Sequence, residues 1–193
     1  MILIFKYQFI FKSNINKMEE IISMIEKTKE ETAFQKIKNL GYDLIYEKDK
    51  FELDELCCIC DPEYLSQELE SLDYESFLQG DENVHGFFIV KDNTIFVSCI
   101  INTACANVCE SMGKNIKKFM EITLLCSNKI HRVKGLATLM MEHIKNVARL
   151  LKKSYIVLSV SNYAKNQRAI DFYIKESFVP IKNTDKFVYS VKY

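Results

Sequence analysis

Hydrophobic and polar residues follow two different periods along this chain, and the switches between them lay out its elements. Apolar residues recur at helical spacing through Leu136, Leu139, Met140, Ile144, Val147 and Leu151, which predicts a helix over Gly135–Leu151. A second helix is predicted over Ala164–Glu176, with Ala169, Phe172 and Tyr173 on one side. Nearer the start, Ile21, Ile22, Ile25, Ala33, Ile37 and Leu40 make an approximate stripe, so residues 18–40 read as one helix stopped by Gly41. Runs at Tyr42–Glu47, Gly86–Val90, Thr94–Ile101, Phe119–Cys126, Phe178–Ile181 and Phe187–Val191 read as strands. Tyr155–Val160 is nearly all apolar, as a strand covered on both faces should be. Lys91-Asp92-Asn93 supplies a hairpin turn. Ahead of these strands, Leu53, Leu56, Cys57 and Cys60 fit one short helix. Asp61-Pro62, an N-cap and a first-position proline, starts another that carries Leu65, Leu69 and Leu72. Residues 102–117 read as a loop or small helical insertion, and residues 1–17 give no firm element.

This order describes a mixed α/β domain whose sheet joins an antiparallel meander to a parallel crossover. A length of 193 residues suits one ordinary domain. No apolar run reaches the roughly 20 residues that span a bilayer, so no membrane partner is expected.

Charge adds a second pattern. Lys+Arg 26 balances Asp+Glu 26, which excludes a polycation, and no direct nucleic-acid partner is expected. The balance hides a division, because residues 1–100 carry 10 basic and 20 acidic side chains and residues 101–193 carry 16 and 6. Residues 49–82 alone hold 12 acids against Lys50. Such sorting offers one surface to a cation and another to an anion, or two solvated faces that attract one another.

The 7 cysteines come without a clear secretion signal, so the thiols read as reduced and the compartment as cytoplasmic. Cys57, Cys58 and Cys60 resemble half of a metal site, but no second pair stands at the right spacing, and no metal is expected. His131 reads as a loop residue and His143 as a helix-surface residue.

The stretch that carries chemistry is Ser127–Leu136, SNKIHRVKGL, which feeds a helix N-terminus directly from a strand. Unpaired N–H groups and the helix dipole favour an anion there. Gly135 lets the anion approach the backbone, and Lys129, Arg132 and Lys134 add positive charge. The physics is that of a pyrophosphate site, although neither a P-loop nor a three-glycine dinucleotide fingerprint is present.

Arg132-Val133-Lys134-Gly135-Leu136-Ala137 resembles the acyl-CoA pyrophosphate loop R/Q-x-x-G-x-G/A of the GNAT N-acetyltransferase superfamily. Leu158-Ser159-Val160, Asn166, Ala169, Phe172-Tyr173 and Phe178 follow as the strand and N-x-x-A-x-x-F-Y-x-x-x-G-F helix of that family, with Ser177 where the family usually has glycine. Glu121-Ile122 to Lys145 looks most like the histone-acetyltransferase branch. The resemblance implies a GNAT-like, largely antiparallel sheet with helices on both faces and a splayed parallel strand pair. Residues 41–193 would be the N-acetyltransferase domain and residues 1–40 an N-terminal extension of leader plus helix.

It also implies acetyl-CoA as co-substrate. Lys129, Arg132, Val133, Lys134, Gly135, Leu136 and Ala137 would hold its phosphates. Leu124, Leu125 and Cys126 would lie along its pantetheine, with Asn166 bracing the cofactor or the strand gap. Tyr173 would stand near the sulfur as general acid, and Glu121 would be the general base that frees the amine lone pair. Cys126 is a weaker rival as an acyl-enzyme nucleophile. The family places its two short helices at the acceptor side, and here they fall in the acidic block 49–82, which favours a cationic amine: a protein lysine or a polyamine-like molecule. A catalytically inactive acyl-CoA-binding module, acting as sensor or scaffold, is the competing reading.

Overall fold

The computed structural model describes residues 32–47, 83–104, 118–160 and 166–192, with Glu20, Ser23 and Met24. The short helices expected within 49–82, most of the 102–117 insertion and the leader lie outside the described residues. The elements are α1 (Ala33–Asn39), β1 (Asp43–Glu47), β2 (Val84–Lys91), β3 (Thr94–Asn102), β4 (Phe119–Ser127), α2 (Leu136–Leu150), β5 (Tyr155–Ser159), α3 (Gln167–Lys175), β6 (Val179–Pro180) and β7 (Lys186–Ser190). The described strands form one sheet in the order β1-β2-β3-β4-β5-β7-β6. Every pairing is antiparallel except β4 with β5, which α2 joins as a crossover.

The main core lies on one face of this sheet. Phe87 and Ile89 of β2, Val97, Cys99 and Ile101 of β3, Met120 and Ile122 of β4, and Ile156 and Leu158 of β5 meet residues from all three helices there. Strand alternation sends Phe119 and Val157 to the opposite face, where they form a smaller cluster with Tyr155 and Val188.

Two expectations need correction. Residues 18–40 are not one helix, because Thr32 is an N-cap with extended backbone, and a capping box with Gln35 starts α1 there. His143 is not on a helix surface; it is 2 % exposed. Its ring packs edge-on against Phe87, with centroids 5.2 Å apart. α1 also packs on α2, with Lys36 Nζ 3.0 Å from Glu142, and His143, Met141 and Ala148 are buried beside the predicted stripe. Burial lowers the His143 pKa to about 4, and neither ring nitrogen has a hydrogen-bond partner.

The three described helices end in the same way. At α1, the Gly41 amide bonds to Lys38 O and the Tyr42 amide to Ile37 O. At α2, Lys152 bonds to Arg149 and Lys153 to Ala148; at α3, Ser177 bonds to Ile174 and Phe178 to Tyr173. These are Schellman ends, whose pivot residue is left-handed. Gly41 at φ 78° suits that position, whereas Lys152 at 56° and Ser177 at 69° hold it with a Cβ attached.

Candidate functional site

The parallel ladder stops early. β4 pairs with β5 from Phe119↔Tyr155 to Ile122↔Leu158, and β5 ends one residue later at Ser159. β4 continues to Ser127, still paired with β3 on its other side. The ladder with β5 includes none of Thr123–Ser127. The divergence coincides with a bulge, since Ile100 faces Leu124 while Ile101 faces Ile122, leaving Thr123 as the extra residue. The Thr123 hydroxyl donates to Ile100 O at 3.2 Å. A gap therefore opens at the carboxyl ends of two parallel strands, where open α/β sheets place their ligands. Leu124 on its edge is buried, and Leu125 and Cys126 are half-buried.

The loop above the gap is built on Asn128, a residue that sequence reasoning passed over. Its amide nitrogen donates to Ile95 O at 2.8 Å, and its Oδ1 accepts from the Ile130 and His131 amides, both at 2.9 Å. The asparagine at the strand end was the available signal, because Asn favours such turns. This anchoring leaves Lys129, Arg132, Val133 and Lys134 exposed, with Ile130 80 % exposed. Gly135 then starts α2 at φ 98°, and a Cβ there would meet nothing within 4 Å. Its requirement is therefore conformational rather than steric. Among the described residues no side chain caps α2, and its first turn contains no acid, an arrangement that favours an anion at the leading N–H groups. Leu136 buries its side chain beneath that turn, and Ala137 is half-buried.

The remaining expected residues lie on three different elements. Glu121, half-buried, sits one step before the ladder ends, between Asn102 on β3 and Val157 on β5. Alternation places it on the same face as Phe119 and Val157. Tyr173 belongs to the core on the opposite face, buried among Phe172, Phe178 and Phe187 with ring centroids at 5.3, 5.8 and 6.1 Å. The two catalytic candidates thus approach from opposite sides of the sheet. Asn166 is the N-cap of α3, its Oδ1 accepting from the Ala169 amide at 3.3 Å, so α3 starts at Gln167 rather than Ala164.

The cysteines divide. Cys99 is free and buried, and burial raises its pKa. Cys126 is disulfide-bonded, which corrects the expectation of uniformly reduced thiols and removes its sulfur as a nucleophile. Among the described residues no group of three or more His, Cys, Asp or Glu could hold a metal ion.

Residues 51–178 match the acetyltransferase (GNAT) family. Among solved structures, an N-acetyltransferase from Staphylococcus aureus is 12% identical, covers 78% of this chain and 99% of its own, and superposes with a TM-score of 0.52. A mutant of the toxin AtaT, bound to the C-terminus of the antitoxin AtaR and acetyl-CoA, is 12% identical over 78% of this chain and 93% of its own, at 0.55. AtaT complexed with acetyl-methionyl-tRNAfMet is 15% identical over 77% and 95%, at 0.50. At these identities the likeness is one of fold. No curated protein sequence matches the chain.

Proposed function

Because the chain belongs to the GNAT family of acetyltransferases, and is thus an acetyl-CoA-dependent N-acetyltransferase, we propose that it transfers the acetyl group directly to a primary, cationic amine. The observation that carries this reading is the gap beside β4, which leads without interruption into the uncapped start of α2. The amides at Gly135, Leu136 and Ala137 receive the pyrophosphate, and Lys129, Arg132 and Lys134 add charge around it. The stretch of β4 at Leu124, Leu125 and Cys126, past the end of the ladder with β5, receives the pantetheine arm, and Asn166 at the start of α3 braces the cofactor or the strand gap.

The chemistry divides between the two faces of the sheet. Glu121 takes a proton from the acceptor ammonium, directly or through a water, and restores its lone pair. The amine nitrogen bonds to the thioester carbonyl carbon and the carbon–sulfur bond breaks. Tyr173 gives its hydroxyl proton to the departing thiolate. Approach from opposite faces lets the base meet the acceptor while the acid meets the leaving group.

The 12 acids in residues 49–82 support a cationic acceptor such as a protein lysine or a polyamine-like molecule. A second acceptor class, the α-amine of an aminoacyl-tRNA, draws on the AtaT complex with acetyl-methionyl-tRNAfMet and on the 16 basic against 6 acidic residues in 101–193. An acetyl-CoA-dependent thiol-release assay over lysine peptides, polyamines, aminoglycosides and charged tRNAs tests both. Polyamines or lysine peptides should turn over best. Preference for charged tRNA would replace the acceptor assignment. Acetyl-CoA binding with no turnover on any amine would point to the binding-module reading.

A further inference from the structure

Beneath the last turn of α3 lies an ion pair that the chemistry above does not use. Lys145, on α2, donates from Nζ to the Glu176 main-chain oxygen at 2.8 Å and to Glu176 Oε2 at 2.9 Å. The two side chains are only 13% and 9% exposed. The same ammonium stands 4.9 Å from the centre of the Tyr189 ring and 5.9 Å from that of Phe178. A buried ion pair is weak evidence for stability, because desolvation offsets much of the Coulomb attraction. What it fixes here is geometry.

That geometry reaches Tyr173. Glu176 is the C-cap of α3, and its amide closes on Phe172 O at 2.9 Å. Two residues on, the Phe178 amide closes on the Tyr173 carbonyl at 2.9 Å, and the two rings lie 5.8 Å apart. Lys145 therefore holds the cap residue by its carbonyl and its carboxylate, and rests on the ring beside Tyr173. Without this cation, the Glu176 carboxylate would face the negative end of the α3 dipole unopposed. The carbonyl would also lose its donor, and the turn that orients Tyr173 would loosen.

We propose that Lys145, acting through Glu176, is a positioning residue that holds the Tyr173 hydroxyl at the departing sulfur. The inference rests on Tyr173 as the proton donor. Lys145 itself lies ten residues along α2 from Gly135, about 15 Å at helical rise, so its effect should fall on turnover and not on cofactor capture.

The test is a double-mutant cycle on the full chain, with kcat and acetyl-CoA Kd measured for wild type, Lys145→Met, Tyr173→Phe and the double variant. Lys145→Met should lower kcat about 10-fold, as a displaced catalytic group does, with Kd unchanged. Lys145→Arg, which keeps the charge, should recover most of the loss. The double variant should be no slower than Tyr173→Phe alone. Losses that multiply, or a Kd that weakens in step with kcat, would overturn the inference. Should Lys145→Met not fold, Glu176→Gln takes its place in the cycle, since it keeps the bond from Lys145 to the main-chain oxygen, and the same criterion decides. If Tyr173→Phe turns over like wild type, the proton-donor reading fails and the inference with it. If Tyr173→Phe is slow and the losses multiply, the positioning role alone fails.

Discussion

Replacing His143 by leucine should stabilise the protein against acid. The imidazole is buried against Phe87 with neither nitrogen bonded, and its pKa is lowered to about 4 from the ordinary 6.5. In the unfolded chain the ring takes a proton as pH falls through 6.5, whereas in the fold it resists until about 4. The unfolded state therefore binds more protons across that window, and stability is lost as pH drops through it. The gap corresponds to about 3 kcal/mol at full extent. Leucine has nearly the volume of histidine and no polar atoms, so it removes the linkage and relieves the unbonded nitrogens, a gain of about 1–3 kcal/mol even at neutral pH. Urea denaturation of both proteins at intervals from pH 7.5 to 4.5 provides the measurement. The stability difference between variant and wild type should widen steadily as pH falls, because every other titrating group is common to both proteins. A constant difference across the range would refute a buried, neutral His143.

Further outcomes follow from the site and its frame. Gly135→Asp should abolish acetyl-CoA binding while the fold survives; Gly135→Ala should cost about 1 kcal/mol of stability for its left-handed backbone, since no neighbour opposes the Cβ, and isothermal titration with melting curves separates the two. Asn128→Ala removes three hydrogen bonds and should cost about 2 kcal/mol and weaken acetyl-CoA about 10-fold; unaltered affinity would show that the loop holds its shape without Asn128. Ser177→Gly should raise stability by about 0.5–1 kcal/mol, the left-handed penalty less the entropy of glycine, read as a higher denaturation midpoint. Glu121→Gln should slow turnover at neutral pH and recover in part at alkaline pH, where the amine deprotonates itself; a pH–rate profile like that of wild type would assign the base elsewhere.

What was legible in the sequence was whatever depends on nearby residues. The run Arg132–Ala137 displayed its anion site because strand, glycine and helix start are consecutive. The crossover was legible for the same reason, since α2 and β5 each announce themselves by period. His143 reads as a surface residue because its burial depends on Phe87 of β2, 56 residues earlier in the chain, and a helical stripe does not show how wide the packed face is. The break at Thr32 is hidden by an apolar stripe that continues across it, although Thr and Gln stand at capping-box spacing. The Cys126 disulfide depends on which thiols meet in space, a matter that spacing alone does not determine. Lys145 and Glu176 are 31 residues apart and likewise became a pair only through the packing of α2 against α3.

The early end of the β4–β5 ladder also gives the protein an internal clock. In a strand with neighbours on both sides, successive amides point alternately to left and right. From Thr123 to Ser127, those directed at β3 are held, while those directed at β5 have no ladder partner among the described residues. Hydrogen–deuterium exchange along this short run should therefore proceed at two speeds, fast and slow amides alternating. A ligand that enters the gap and bonds to the strand would slow only the fast set. The ratio between the two sets would report occupancy residue by residue, and the slow set would serve as an internal reference for global opening.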